Sequence, residues 1–155
     1  MIDHQKPMNI FLFSKRKHYY YDIDSIRRTT KDGLGVANER DVWTLGTGNM
    51  RDKHYAQFPL EIPKRAIKAG TPQDGVCSAC GACYKSNQCD CNGNVVPAVV
   101  LDPFAVSCTT GLAAAELGRN AIMIDLKDEY LQIGQERLSN SGYSKILEPT
   151  VYISR

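Results

Sequence analysis

The chain has 155 residues, of which 43% are hydrophobic and 23% charged, and its formal net charge is +2. This length suits one domain with one core, and the composition is that of an ordinary globular protein. The sequence has no apolar run near the roughly 18 residues that span a membrane, and it begins without an export signal. We therefore expect a cytoplasmic protein with no membrane partner.

The charge is unevenly distributed along the chain. Residues 1–70 hold 13 Lys and Arg against 8 Asp and Glu, whereas residues 71–155 hold 6 against 9. The basic residues 15–17, Arg27 and Arg28 stand near three tyrosines, a combination that can contact phosphates. An excess this modest is more often a solvated face, so both interpretations stay open.

The first half of the chain predicts few regular elements. Apolar residues 8–13 predict a strand, residues 22–28 one helical turn and residues 41–45 a short strand, with a glycine-containing loop over residues 29–39. Residues 59–69 predict a helix, since their apolar side chains recur on or near one face and Gly70 follows.

The second half alternates strands and helices. The predicted elements are a strand over 95–101, a helix over 109–117 with Ser107 or Thr109 as N-cap and Gly118 as C-cap, a strand over 120–125, an amphipathic helix over 127–138 and an edge strand over 150–153. Elements that alternate at these lengths are typical of parallel crossovers. The predicted fold class is therefore α/β with a mostly parallel sheet.

Five of the six cysteines are clustered in the segment 76–93. A Cys-x-x-Cys-Gly turn and a Cys-x-Cys pair are formed there by Cys77, Cys80, Cys89 and Cys91. Four thiolates suit a tetrahedral zinc ion, and they leave no open position for water, so we predict a zinc-knuckle insert over 76–93 with a structural role. Cys83 is a spare thiol, and disulfides or free thiols are the alternative.

The segment 101–111 connects a predicted strand to a predicted helix and reads Leu-Asp-Pro-Phe-Ala-Val-Ser-Cys-Thr-Thr-Gly. Asp125 closes the following strand, about 20 residues past the loop, which is the arrangement that binds ribose hydroxyls in a Rossmann-type half. The segment resembles the S-adenosylmethionine loop of DNA amino-methyltransferases, Leu-Asp-Pro-Phe-Ala-Gly-Ser-Gly-Thr-Thr-Gly. The resemblance implies a Rossmann-like methyltransferase fold as one domain over 1–155, with S-adenosylmethionine as its cofactor.

Two positions of this loop depart from the family pattern, because Val106 and Cys108 stand where the family has glycine. Glycine in such a loop serves a positive φ or a close approach of the backbone to the ligand. A branched valine at positive φ is strained, and its Cβ would lie in the space of the ligand. The two substitutions therefore predict weaker cofactor binding than glycine would give.

The resemblance also assigns site residues. Cofactor contacts are implied for Asp102, Phe104, Ser107 and Thr109 in the loop, for Asp125 as the ribose-binding acid, and for Phe58 and Pro59 in the segment that precedes the loop in circularly permuted, β-type members. Taken alone, Asp125 is also compatible with a helix N-cap, and the two phenylalanines with core packing.

The catalytic tetrapeptide of the family, Asp/Asn/Ser-Pro-Pro-aromatic, has no match, because the 155 residues contain no Pro-Pro. That tetrapeptide holds the target amino group and stacks on the flipped base, so we assign no catalytic residue here. The resemblance implies the cofactor-binding half of a site-specific enzyme that methylates adenine N6 or cytosine N4 in double-stranded DNA. The expected partner is a catalytic N-terminal half or a second copy of the chain.

The resemblance therefore leads us to expect a truncated, split or decayed enzyme. Two alternatives stay open: an inactive regulatory remnant with the same fold, and a zinc-stabilised interaction module.

Overall fold

The computed structural model describes residues 9–45, 58–83 and 89–142. In chain order, the elements are a 3-10 turn at Asp24–Ile26, β1 (Arg28–Thr29), β2 (Val36–Ala37), α1 (Glu61–Gly70), β3 (Val76–Cys77), β4 (Val95–Val96), β5 (Val99–Asp102), α2 (Thr109–Glu116), β6 (Asn120–Met123) and α3 (Asp128–Asn140). The edge strand predicted over 150–153 lies outside the described residues. Within the described segments, no helix is long and apolar enough to cross a membrane.

A parallel strand pair joined by a helix forms the centre of the fold. β5 pairs with β6 in parallel, with Val99 opposite Asn120 and Leu101 opposite Ile122, and α2 connects the two strands. Parallel strands require such a crossover, and the helix covers one face of the sheet. The chain therefore has the α/β class that the alternating pattern predicted and the Rossmann-like fold that the resemblance implied, with a cysteine-rich insert before β5.

One face of this strand pair is covered and the other is bare. Val100 and Ala121 pack on a core made by Ile67 of α1 and by Ala113 and Ala114 of α2. Side chains alternate along a strand, so Val99, Leu101 and Ile122 point away from that core, and they are 55%, 59% and 36% exposed. Because parallel strands are normally buried on both faces, this bare apolar face needs a cover.

The continuous strand predicted over residues 95–101 is wrong, because it breaks at Pro97. Pro97 has no N–H to donate to a ladder, and the strands on its two sides take different partners. β4 pairs antiparallel with β3, while β5 pairs in parallel with β6. The proline therefore separates the insert from the central sheet.

The strands predicted near the N-terminus are also absent from the described residues. Residues 9–13 and 41–45 form no ladder, and Phe11 and Phe13 are 73% and 88% exposed. A strand needs a neighbour to satisfy its backbone, and none of the described strands runs beside residues 9–13. The loop predicted over 29–39 contains a small hairpin, in which β1 pairs with β2, and the helical turn predicted over 22–28 is confirmed as a 3-10 turn.

The three long helices are confirmed with shifts of one or two residues at their ends. Gly118 adopts φ +69 just after α2, as expected of a helix-ending glycine. The predicted N-cap of α2 is wrong, because Cys108, not Ser107 or Thr109, occupies that position. Arg119 is buried beyond the end of α2 and donates to the side-chain and main-chain oxygens of Thr71, which fixes α1 against α2.

Candidate functional site

The loop between β5 and α2 lies at the carboxyl end of the parallel strands. Its course continues the sheet: the N–H of Ile124 donates to the Asp102 oxygen, and the N–H of Ala105 donates to the Ile124 oxygen, both at 2.9 Å. Ligands of open α/β sheets bind at this end of the strands. The fold therefore places the loop where a nucleotide-like cofactor is expected.

Val106 and Cys108 both adopt a positive φ, +44 and +56. These are the two positions where the loop motif has glycine, so the backbone keeps the glycine-like path without the glycines. A left-handed conformation costs about 1–2 kcal/mol for a residue with a Cβ, and it is least favourable for a branched side chain such as valine. The expected strain is therefore present in the loop.

The side chain of Cys108 points into the protein. It is 4% exposed and packs with Ala105 and Leu131 beneath the loop. A Cβ placed on Gly134 of α3 would lie 2.2 Å from its sulfur, so only glycine fits opposite it. Burial raises the pKa of this thiol to about 11, which leaves it neutral and unreactive near pH 7.

Asp125 follows β6 and holds the loop directly. One carboxylate oxygen accepts the N–H of Val106 at 2.8 Å, and the other accepts the N–H of Lys127 at 2.9 Å. The helix that follows begins at Asp128 with Lys127 as its N-cap, so the N-cap alternative for Asp125 is wrong. Each oxygen keeps a lone pair after one bond, so the half-buried carboxylate can still accept hydroxyl donors.

The remaining loop residues divide into exposed and buried members. The carboxylate of Asp102 accepts the N–H of Phe104 at 3.0 Å, and the Phe104 ring is 80% exposed. Ser107 and Thr109 are buried, with their hydroxyl oxygens 3.4 Å apart. The Phe104 side chain is therefore free to cover a ligand, whereas the two hydroxyls lie inside the loop.

Phe58 and Pro59 lie just before α1, a helix that packs on α2 and on the 3-10 turn. The contacts of α1 therefore do not place these two residues at the loop, and their assignment to the cofactor wall stays a prediction. The residues before them, 46–57, lie outside the described part of the chain.

Arg137 on α3 is a loop contact that sequence reasoning missed. Its guanidinium donates to the main-chain oxygen of Ser107 at 2.5 Å and to the hydroxyl oxygen of Thr109 at 3.3 Å. The sequence predicted only an amphipathic helix over this part of the chain, with no role for Arg137 at the loop. A charged residue in line with buried helix positions was the available signal, since such a group needs a polar partner.

The second candidate site is the cysteine cluster. The sulfur atoms of Cys77, Cys80, Cys89 and Cys91 all lie within 4.8 Å of one another. At a zinc–sulfur distance of about 2.3 Å, tetrahedral ligands lie about 3.8 Å apart, so a small contraction suits the ion. None of the cysteines in the described segments forms a disulfide.

The backbone of the insert shapes this cluster. Main-chain N–H groups of Cys80 and Ala79 lower the pKa of the Cys77 thiol to about 7, which favours the thiolate that binds metal. A Cβ on Gly93 would lie 2.6 Å from the Cys77 sulfur, so a side chain there would intrude on the cluster. Cys83 pairs across from Val76 and is not one of the four close thiols.

The comparison with known proteins decides the family. The N6/N4 DNA methylase family model matches residues 6–136. The chain belongs to this family of DNA amino-methyltransferases. The match includes β5, the loop, Asp125 and most of α3.

Curated relatives are type II methyltransferases. M.SmaI of Serratia marcescens is 33% identical over 130 residues, which are 83% of this chain and 37% of the relative. M.Cfr9I of Citrobacter freundii is 32% identical over 138 residues, which are 88% of this chain and 38% of the relative. The chain therefore spans less than two fifths of the length of these relatives.

Among solved structures, a protein of Thermus thermophilus, assigned as a DNA modification methylase and complexed with S-adenosyl-L-methionine, is 30% identical to this chain. The alignment has a TM-score of 0.40 and covers 63% of this chain and 30% of that one.

Proposed function

We propose that this chain is the cofactor-binding part of a DNA methyltransferase that uses S-adenosylmethionine to methylate the exocyclic amino group of adenine or cytosine. The observation that carries the proposal is the position of Asp125 at the end of β6, in contact with the loop that follows β5. The family membership supports the same reaction class.

The described residues suit such a cofactor chemically. Asp125 offers its free lone pairs to the ribose hydroxyls, and the exposed ring of Phe104 covers an apolar part of the ligand. Asp102 keeps the backbone of the loop turned through its bond to Phe104. The cofactor supplies the methyl group, while these residues bind and orient it.

A second candidate is an inactive member with the same fold. The branched valine at position 106 favours it, since a side chain at a position suited to glycine would lie in the space of the ligand. Titration with S-adenosylmethionine, followed by calorimetry, separates the two functions. Binding supports the first, and no binding at millimolar cofactor supports the second.

The proposed partners are double-stranded DNA and the remainder of a methyltransferase fold, on the same polypeptide or another. The bare face formed by Val99, Leu101 and Ile122 is where that remainder would pack, because parallel strands are buried on both sides. A second copy of this chain is the alternative partner that would cover this face. A cytoplasmic location, where the DNA of a bacterial cell lies, goes with this proposal.

We further propose that the cysteine cluster binds one structural zinc ion. The four close sulfur atoms and the glycine at position 93 support this assignment. Four protein ligands fill the tetrahedral coordination, so the ion stabilises the insert and takes no part in methyl transfer. Metal analysis of reduced protein tests the stoichiometry of one zinc per chain.

Replacing Val106 by glycine is expected to tighten cofactor binding. The substitution removes the branched side chain from the space expected for the ligand, so we expect the affinity for S-adenosylmethionine to rise about tenfold, or roughly 1.4 kcal/mol. Relief of the positive-φ strain is expected to stabilise the fold. The double change Val106→Gly, Cys108→Gly is expected to bind at least as tightly, although loss of the packed Cys108 side chain offsets part of its stability. Calorimetry on the three proteins measures the affinities. Unchanged affinity, or micromolar binding by the unaltered chain, would show that the Val106 side chain does not obstruct the cofactor.

Replacing Asp125 by alanine is expected to reduce cofactor binding more than folding. The change removes a charged acceptor, which is worth on the order of 1.5–3 kcal/mol, and it also frees the N–H of Val106. We expect at least a tenfold loss of affinity and a fall of only a few degrees in the melting temperature. Asp128→Ala, at an exposed acid three positions along the chain, is the matched control. Equal losses of affinity in the two variants would show that Asp125 has no specific role.

A further inference from the structure

We infer that α3 holds the cofactor loop in its binding conformation, with Arg137 as a positioning residue and Gly134 as the recess for Cys108. This inference rests on the proposed function, since it explains how a loop without its glycines keeps the path needed for S-adenosylmethionine. We call the contacts of Arg137 and Gly134 with Ser107 and Cys108 the loop anchor.

Arg137 forms the polar half of the loop anchor. The Ser107 carbonyl lies between two residues with positive φ, where the backbone follows no regular ladder. A buried main-chain oxygen needs a donor, and the guanidinium provides one. Its second bond, to the hydroxyl of Thr109, ties the same side chain to the first residue of α2. The charged donor thus fixes both the turn and the start of the helix.

Gly134 forms the steric half. A glycine inside a helix is less stable there than alanine, so its presence in the middle of α3 needs a reason. The reason is the side chain of Cys108, whose sulfur and Cβ would lie 2.2 Å and 2.7 Å from a Cβ at position 134. The side chain that replaces a loop glycine is therefore accommodated by a glycine in the facing helix.

The two halves act on the same backbone. Cys108 is pinned by burial against Leu131 and Gly134, while the carbonyl just before it is held by Arg137. Contacts from α3 therefore hold the loop backbone in a conformation that glycines would adopt without such support. Loosening α3 should release the loop and lower cofactor affinity while the rest of the fold stays intact.

The polar half is tested by titrating Arg137→Ala and Arg137→Lys with S-adenosylmethionine. We expect Arg137→Ala to bind about tenfold more weakly, and Arg137→Lys to recover part of the loss because its ammonium can still reach one acceptor. Gln135→Ala, at an exposed position of the same helix, is the control and should bind like the unaltered chain. Equal affinity of Arg137→Ala and the control overturns the role of Arg137.

The steric half is tested by thermal melting without cofactor. Gly134→Ala should lower the melting temperature by roughly 4–10 °C, because the added Cβ would overlap the Cys108 side chain. In the Cys108→Gly background, the same substitution should raise the melting temperature, since alanine suits a helix better than glycine. If Gly134→Ala alone fails to fold, recovery of folding in the double variant supports the anchor.

The two tests distinguish the inference from the proposed function. If the unaltered chain does not bind S-adenosylmethionine, the proposed function fails, and the melting cycle still measures the contact between Gly134 and Cys108. If the chain binds, but the sign of the Gly134→Ala effect is the same in both backgrounds, the loop anchor is wrong and the proposed function stands.

Discussion

Removal of metal from the purified, reduced protein is expected to unfold the cysteine insert. The antiparallel pair of β3 and β4 has only two residues on each strand, so we expect the insert to depend on the metal for much of its stability. Structural zinc contributes apparent binding free energies of about 10–16 kcal/mol in small zinc-finger peptides, and that energy is folding energy. We therefore expect one zinc per chain, lost with excess chelator together with a large drop in the melting temperature.

Single substitutions make this expectation specific to the cluster. Cys89→Ser and Cys91→Ser should lose the metal, whereas Cys83→Ser should retain it, because Cys83 is not one of the four close thiols. Gly93→Ala should also reduce zinc content, since its Cβ would crowd the Cys77 sulfur, while Gly70→Ala has open space and should not. Metal-free reduced protein, or equal zinc loss in Cys83→Ser and Cys89→Ser, would contradict the zinc site.

We also expect that the 155-residue chain, tested by itself, will not methylate DNA. The lone pair of an exocyclic amino group is delocalised into the base, so the enzyme must extrude the base and hold the nitrogen with acceptors as it reacts. The tetrapeptide that does this in the family is absent from these residues. Binding the cofactor alone therefore leaves the methyl group without a positioned acceptor.

The assay measures transfer of labelled methyl groups to unmethylated genomic DNA. It is run with and without an added N-terminal half that carries the catalytic tetrapeptide. Transfer only in the mixture supports the proposed function, and Asp125→Ala in the same mixture should lower it about tenfold at limiting cofactor. Clear incorporation by the chain alone would refute the assignment of the catalytic tetrapeptide to another part of the enzyme.

Helices and the loop could be predicted from the sequence because their determinants are local. Each of α1, α2 and α3 has a residue pattern typical of a helix, and one or two turns of sequence are enough to show it. The positive φ at positions 106 and 108 could also be predicted, since the motif has glycine there. The sequence spacing of the four cysteines also predicted that their sulfur atoms lie close together.

Strands and tertiary contacts were harder to predict because they depend on partners. Residues 9–13 have a strand-like sequence but pair with none of the described strands. Pro97 interrupts residues 95–101, which their apolar composition predicts as one strand. Asp125 was predicted to bind ribose, yet its contact with Val106 depends on how the loop folds back. Gly134 and Arg137 gain their roles only when α3 packs beneath the loop.

The antiparallel pairing of β3 with β4 places the two ends of the cysteine insert side by side, with Val76 opposite Val96. An insert whose flanking strands lie side by side can be gained or deleted in one genetic event, because a short turn can connect the two strands in its place. The central sheet begins only after Pro97, so such an event would not shift its register. Natural variants of this domain that lack the cysteines altogether should therefore keep the same loop and the same parallel strands.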